Sequence, residues 1–243
     1  MQGEIMYRNI VVLTGAGISA ESGIPVFRSE SGLWEQEKIE DVCTVEALAR
    51  DSLKVHNFYN KLRRNLADKL PNEAHLALTK LQQQWPQKFS GEVSIVTQNV
   101  DDLHEKALSQ NVIHMHGKLM SIWCTHCQRH YFFDHDSSPT DKCKFCHKQA
   151  LRPDIVFFGE MPYFMDKIYE KLQKCSLFIA IGTSGVVYPA AGFCQFARSV
   201  GARCLEVNLN KSAVASDFTD GIYGEASRTV PILVDKLLAN GSL

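Results

Sequence analysis

Five short apolar runs limit what this chain can become: Ile10 to Thr14, Val93 to Thr97, Val112 to Met115, Leu177 to Gly182 and Cys204 to Leu209. They are rich in β-branched residues and mostly apolar at successive positions, so each has two faces to bury. Helical stretches stand between them, near Thr44–Asp68, Ala74–Gln84, Asp166–Lys174, Pro189–Val200 and Val230–Ala239. Buried strands alternating with helices make a parallel sheet covered on both faces, an open doubly wound α/β fold.

Two stretches break the alternation. Residues 24–70 hold a polar loop and then helical sequence, and residues 118–152 hold paired cysteines among polar residues. Both read as excursions from the sheet that together form a smaller domain. At 243 residues there is length enough for one large core plus such an insertion. The division expected is 1–23, 75–117 and 153–243 for the large domain, and 24–74 with 118–152 for the small one.

The eight cysteines fall into two groups. Cys124/Cys127 and Cys143/Cys146 are two Cys-x2-Cys pairs with fifteen residues between them, a spacing suited to a structural zinc ion. Four thiolates fill a tetrahedral shell, so His126, His130 and His147 are not needed as ligands and no position stays open for water. Cys43, Cys175, Cys194 and Cys204 sit in apolar surroundings, as core thiols do in a reducing compartment. Met1 to Ile10 carries no secretory or transit pattern, and runs such as Leu177 to Ile181 are too short to span a bilayer. A cytoplasmic chain without a membrane partner is expected. Lys and Arg number 26 against 27 Asp and Glu, so no bulk field favours a nucleic acid.

The first run leads straight into Thr14-Gly15-Ala16-Gly17-Ile18-Ser19-Ala20. Glycines allow a sharp turn and close approach to a ligand, and a helix start behind them offers N–H groups to a phosphate. This is a dinucleotide-binding pattern. A dehydrogenase would place an acidic residue about 20 positions on, at a second strand end. Here the sequence is Phe27-Arg28-Ser29-Glu30-Ser31-Gly32-Leu33-Trp34, a loop, which counts against hydride transfer and favours a mobile cover over the cofactor.

Thr97-Gln98-Asn99-Val100-Asp101-Asp102-Leu103-His104 follows another strand. Its amide and carboxylate groups suit recognition of a carboxamide, and Asp101 or Asp102 equally suits a helix cap. Ile113-His114-Met115-His116-Gly117 follows the next one. Alternation puts both histidines on one face, and His116, nearer the strand end, is the better placed base.

Together these motifs resemble the sirtuins, the NAD-dependent protein lysine deacylases. The match runs through Gly15 to Ser19, Gly23-Ile24-Pro25-Val26-Phe27-Arg28, Gly32-Leu33-Trp34, Thr97 to Asp101, His116-Gly117, both cysteine pairs, Phe158-Gly159-Glu160, Gly182-Thr183-Ser184 and Asn208. The wording is most similar to the bacterial and mitochondrial-type branch. The resemblance implies a Rossmann-like domain and a small zinc-binding and helical domain, with NAD and an acyl-lysine protein meeting between them. It also implies roles. Gly15, Ala16, Gly17, Ser19, Phe27, Arg28 and Trp34 would hold the phosphates and the cover. Gln98, Asn99, Val100 and Asp101 would face the nicotinamide and its ribose. Gly182, Thr183, Ser184, Asn208, Leu209, Asn210 and Ala226 would hold the adenosine half.

The implied reaction consumes NAD. The acyl oxygen attacks the ribose carbon as nicotinamide leaves, and His116, with Asn99 beside it, serves a ribose hydroxyl as base. Products would be lysine, nicotinamide and O-acyl-ADP-ribose; a mono-ADP-ribosyltransferase would share the same site. The peptide would add as a strand between Phe158-Gly159-Glu160 and Val186-Val187, unless Gly185 to Tyr188 is an ordinary loop. Acid-removing relatives carry Tyr-x-x-Arg. This chain reads Tyr59-Asn60-Lys61-Leu62-Arg63-Arg64, with leucine at the arginine position. Either Arg63 reaches the acyl pocket from one position later on a helix, or it belongs to a solvated face. Neutral acyl groups are the expected substrates, with acidic ones tied to Arg63.

Overall fold

The structure, a computed structural model, describes residues 6–26, 33–34 and 37–243. Along the chain run β1 (Ile10–Thr14), a small hairpin of β2 (Leu33–Trp34) and β3 (Glu37–Lys38), and helices α1 (Ile39–Val42), α2 (Val45–Arg50), α3 (Ser52–Asn65) and α4 (Glu73–Phe89). Then come β4 (Val93–Thr97), α5 (Leu103–Lys106), β5 (Ile113–His114), β6 (Gly117–Cys124), β7 (His130–Phe132) and β8 (Leu151–Ile155). The last part holds α6 (Met165–Gln173), β9 (Leu177–Ile181), α7 (Phe193–Ser199), β10 (Arg203–Asn208), β11 (Asp220–Tyr223) and α8 (Ala226–Asn240).

Six strands form one sheet in the order β11-β10-β9-β1-β4-β5, and every pairing in it is parallel. The apolar runs are continuous because both faces are covered. Ile10, Val12, Ile95, Leu177, Ile179, Leu205 and Val207 pack against α4 and α8. Val11, Leu13, Val96, Phe178, Ala180 and Cys204 pack on the opposite side, with α6 and α7. The chain leaves β1 toward β4 and β5, then returns to build β9, β10 and β11 on the other side. The crevice beyond the strand ends at that reversal is where ligands of such sheets collect.

Several boundaries differ from the sequence expectation. The long helix near Thr44–Asp68 breaks at Asp51, whose carboxylate accepts the Lys54 N–H at 2.9 Å and starts α3 afresh. The glycine loop is followed by two single 3₁₀ turns, Ala16–Ile18 and Ala20–Ser22, in place of a full helix. Asn72 secures them: its Nδ2 donates to the Ile18 carbonyl at 2.8 Å and its Oδ1 accepts from Ala74 N at the start of α4.

The two excursions pack on each other. β6, β7 and β8 form an antiparallel sheet in the order β7-β6-β8. Leu119, Ile155 and Phe157 join the core under α1, α2 and α3. Polar contacts bind α3 to the segment after β7. His56 Nδ1 lies 2.7 Å from Ser137 Oγ, and Asn60 Nδ2 donates to the Ser137 carbonyl at 2.8 Å. Arg63 donates to the carbonyls of Leu119 (2.7 Å) and His135 (3.0 Å), and Arg64 pairs with Asp136. Among the described residues no helix is long and apolar enough to cross a membrane.

Candidate active site

One cavity of about 630 Å³ opens between the C-terminal ends of the sheet strands and the packed excursions. Ala16, the Gln98–Asp101 segment, His116, Ser184 and Val187 line it from the sheet side. The loops after β1, β4, β5 and β9 therefore supply one wall.

His116 sits beyond the end of β5, half-buried. Its Nδ1 lies 3.1 Å from the Gln98 carbonyl oxygen, which can only accept, so Nδ1 carries the proton and Nε2 the lone pair. Burial lowers its pKa below the usual histidine value, partly opposed by the Gln98 contact, and leaves the ring neutral near pH 7. His114, two residues earlier, is fully buried and donates Nδ1–H to the next carbonyl, Asn99, at 3.2 Å. Its Nε2 meets Glu105 Oε1 at 2.7 Å. Burial alone would raise Glu105, but the contacts with His114 and Lys118 hold it down to about 2.

Ser19 is the hub between the first and fourth strand loops. Its hydroxyl donates to Asp101 Oδ2 at 2.9 Å and accepts from Asn99 Nδ2 at 3.2 Å. Asn99 Nδ2 also reaches the Gly15 carbonyl at 3.1 Å. Asp101 keeps both of its anticipated uses open. Oδ1 accepts the Leu103 N–H at 3.1 Å as a helix cap would, and the residue also lines the cavity. Burial raises its pKa, against the Leu103 and Ser19 hydrogen bonds.

Behind this hub lie two histidines to which motif reading assigns no role. His75 Nε2 is 3.5 Å from Ser19 Oγ, and His104 Nε2 is 3.0 Å from Thr14 Oγ1. Their rings stand 5.0 Å apart. A polar residue on the apolar stripe of α4, beside Ala74 and Leu78, was the available signal for His75.

The glycine loop is crowded rather than open. A Cβ on Gly15 would lie 2.7 Å from the Gly182 oxygen, and one on Gly17 would lie 2.6 Å from the Gly182 Cα. Gly182 itself takes φ +63°. This seam carries the loop past β9 toward Thr183, whose hydroxyl donates to Gln98 Oε1 at 3.2 Å and whose carbonyl accepts from Asn208 Nδ2 at 2.9 Å. Leu209 and Asn210 are exposed just beyond β10, and Ala226 opens α8. Backbone without room for side chains, backed by amides at two strand ends, fits an extended dinucleotide. Phe27 and Arg28 lie outside the described residues, as does the side chain of Trp34.

On the other wall the structure departs from two expectations. Tyr59 is 0% exposed and Arg63 3%, and neither lines the cavity. Arg63 points away because the Leu119 and His135 carbonyls take its N–H groups. Leu62 lines the cavity instead, with Leu66, Cys43 and Phe157. Glu160 does line the cavity, and its carboxylate is held by Arg152 at 2.7 and 3.0 Å and by the Phe157 N–H at 2.8 Å. Phe158, Gly159 and Val187 do line the cavity, while Val186 is largely exposed beside it.

The four paired cysteines meet at the tip of the small sheet, their sulfurs all within 4.8 Å of one another. Cys124 and Cys146 sulfurs are 3.6 Å apart, and those of Cys127 and Cys143 3.7 Å. A tetrahedral shell with zinc–sulfur bonds of ~2.3 Å has edges near 3.8 Å, so the donors fit zinc. The two turns match: Gln128 N–H bonds Cys124 O and His147 N–H bonds Cys143 O, each at 2.8 Å. Gln128 and His147 both adopt φ +59°. His130 turns instead to Asp154, at 2.8 Å.

Residues 15–189 match the family model described as SIR2, Sir2 family. The chain belongs to the Sir2 family. An NAD-dependent protein deacylase of Vibrio parahaemolyticus serotype O3:K6 is 51% identical over 236 residues, covering 96% of each chain. One of Escherichia coli K12 is 50% identical over 232 residues, 94% of this chain and 82% of its own. A solved Sir2 homologue–NAD complex superposes with a TM-score of 0.86 at 34% identity, over 97% of this chain and 91% of that one. Sir2Tm bound to a propionylated peptide gives 0.76 at 29% identity, over 97% and 94%. In this Sir2 family chain the crowded glycine loop lies on the sheet side of the cavity, and the leucine-lined wall lies on the side of the packed excursions.

Proposed function

We infer that the chain is an NAD-dependent protein-lysine deacylase that releases nicotinamide and O-acyl-ADP-ribose. The observation that carries this is His116: a neutral imidazole whose Nδ1–H is spent on Gln98, leaving a basic Nε2 in a cavity shared with Asn99 and Asp101. NAD supplies the ribose carbon that accepts the acyl oxygen once nicotinamide departs. Asn99 and Asp101, tied together through Ser19, orient the nicotinamide end, and His116 takes the ribose hydroxyl proton. Gly15, Ala16, Gly17, Gly182, Thr183, Ser184, Asn208 and Ala226 are assigned to the phosphates and adenosine. The zinc is a brace with a closed sulfur shell, remote from the proton transfer.

Acylated proteins are the partners. Their peptide backbone is assigned to the edges formed by Phe158-Gly159 and Val186-Val187, both at the cavity mouth. A neutral acyl group is the assigned substrate: Leu62 and Leu66 face the cavity, Arg63 does not, and the bordering cations Arg64 and Lys69 are paired with Asp136 and Asp68. Four core cysteines outside any disulfide, beside a four-sulfur metal cluster, favour a reducing compartment, the cytoplasm.

Mass spectrometry of a reaction with an acetyl-lysine peptide tests the reading. Free lysine, nicotinamide and O-acetyl-ADP-ribose are expected. Transfer of ADP-ribose to the peptide with the acetyl group retained would point instead to an ADP-ribosyltransferase.

A further inference from the structure

Glu160 is spoken for by Arg152, and that pair has a task. Arg152 lies on β8, its side chain only 6% exposed. The guanidinium grips Glu160 through two parallel bonds of 2.7 and 3.0 Å and donates a third to the Ile155 carbonyl at 2.9 Å. It also lies 4.0 Å over the Phe157 ring and 5.1 Å from that of Trp123. A buried ion pair gains little net stability once desolvation is counted, but its fork geometry fixes direction. Here it fixes the turn of Phe157 to Glu160. Glu160 Oε2 accepts the Phe157 N–H at 2.8 Å, Phe158 N–H donates to Cys43 O at 2.9 Å, and Gly159 between them takes φ +89°.

Arg152 also stands opposite Trp123 in the small sheet, and the next rung pairs Leu151 with Cys124, one of the four sulfur ligands. The clamp thus joins the metal-holding end of that sheet to the cavity rim. We propose that Arg152, acting through Glu160, is a positioning residue that presents the Phe158-Gly159 backbone to the substrate peptide. This rests on the reading that the peptide lies along that edge. Arg152 does not line the cavity, so its effect falls on peptide capture.

The test measures kcat, KM for an acetyl-lysine peptide, and NAD affinity by calorimetry. The variants are Arg152→Gln, Arg152→Lys, Glu160→Gln, the Arg152→Gln/Glu160→Gln pair, and Val187→Pro on the opposite edge. Arg152→Gln and Glu160→Gln are each expected to raise peptide KM about tenfold, with kcat and NAD affinity within about twofold. Arg152→Lys restores part of the loss, and the double variant is no worse than either single one. Glu160→Gln keeps the same number of heavy atoms at a partly exposed residue, so it keeps the test open should Arg152→Gln fold poorly. Unchanged peptide KM in the single variants, additive losses, or NAD affinity falling in step would overturn the proposal. If Val187→Pro raises peptide KM while the Arg152 and Glu160 variants do not, the clamp alone is wrong. If none of them moves it, the assignment of the peptide to this edge is wrong.

Discussion

The His116 ring donates its Nδ1–H to the Gln98 carbonyl across 3.1 Å, which decides the tautomer of the one histidine in the cavity wall among the described residues. Two residues earlier His114 makes the same kind of bond to Asn99, so consecutive carbonyls of one loop are held from one side.

The first prediction concerns pH. Burial lowers the His116 pKa, so the base stays deprotonated from pH 8 down past the ordinary histidine value of about 6.5. The acid limb of kcat/KM for NAD should therefore have its midpoint below pH 6.5, and a midpoint above 7 sinks the assignment. His116→Ala should lower kcat by about 10²–10⁴ while NAD binding persists.

A second prediction concerns stability in acid. Burial lowers His75 to about 4; burial, helped by His75 and His114, lowers His104 to about 3. The folded chain keeps both rings neutral where the unfolded chain already takes protons, so it binds fewer. Stability is then full above about pH 6.5 and falls as pH drops toward 4, by on the order of 2–4 kcal/mol between pH 7.5 and 5. Urea midpoints at those two pH values measure it. A midpoint that does not fall, or a His75→Gln variant with an unchanged slope, contradicts the account.

Metal loss is the third. Purified protein should carry one zinc per chain, and Cys146→Ser should lose it with a drop in Tm of about 10 °C. NAD affinity should change little, because the sulfur cluster is at the far tip of the small sheet. Full stability without metal would show the cluster to be dispensable.

The acyl wall supports a fourth. Leu62→Arg would place a cation where leucine now lines the cavity, and the ratio of succinyl to acetyl turnover should rise at least tenfold, about 1.4 kcal/mol. Arg63→Ala should leave that ratio alone and instead destabilise the chain, since it strips the buried Leu119 carbonyl and the part-buried His135 carbonyl of their donor. Dominant succinyl removal by the unaltered enzyme would refute the leucine wall.

Gly17→Ala is the fifth. Its Cβ would meet Gly182 Cα at 2.6 Å, so backbone must shift, costing about 1–3 kcal/mol and loosening the NAD loop. Calorimetric NAD affinity should weaken with Tm. An unaffected variant would mean the seam gives way easily.

The central strands were legible because burial on two faces leaves an unbroken apolar run, and β1 and β4 fall where that run does. The zinc ligands were legible because sulfur pairs at that spacing have few other uses in a reducing compartment. β11 was not, since Asp220-Gly221-Ile222-Tyr223 has little strand pattern and becomes a strand by pairing with β10. Nor could sequence say which of Arg63 and Arg64 turns inward. Carbonyls 56 and 72 residues further along the chain make that choice. Glu160 lay in a recognisable motif, yet its partner Arg152 gave no local hint that the carboxylate was already taken.

The contacts of α3 with Ser137, His135, Asp136 and Leu119 have a consequence for anyone recombining this enzyme with its relatives. The contacting residues of the two inserts are 56 to 81 positions apart in the chain, yet each insert supplies hydrogen-bond partners for the other. A chimera that exchanges the metal-holding insert alone would strand His56, Asn60 and Arg63 against a foreign surface. The two have to be transplanted as a pair, and any drift in one insert is constrained by the carbonyls of the other.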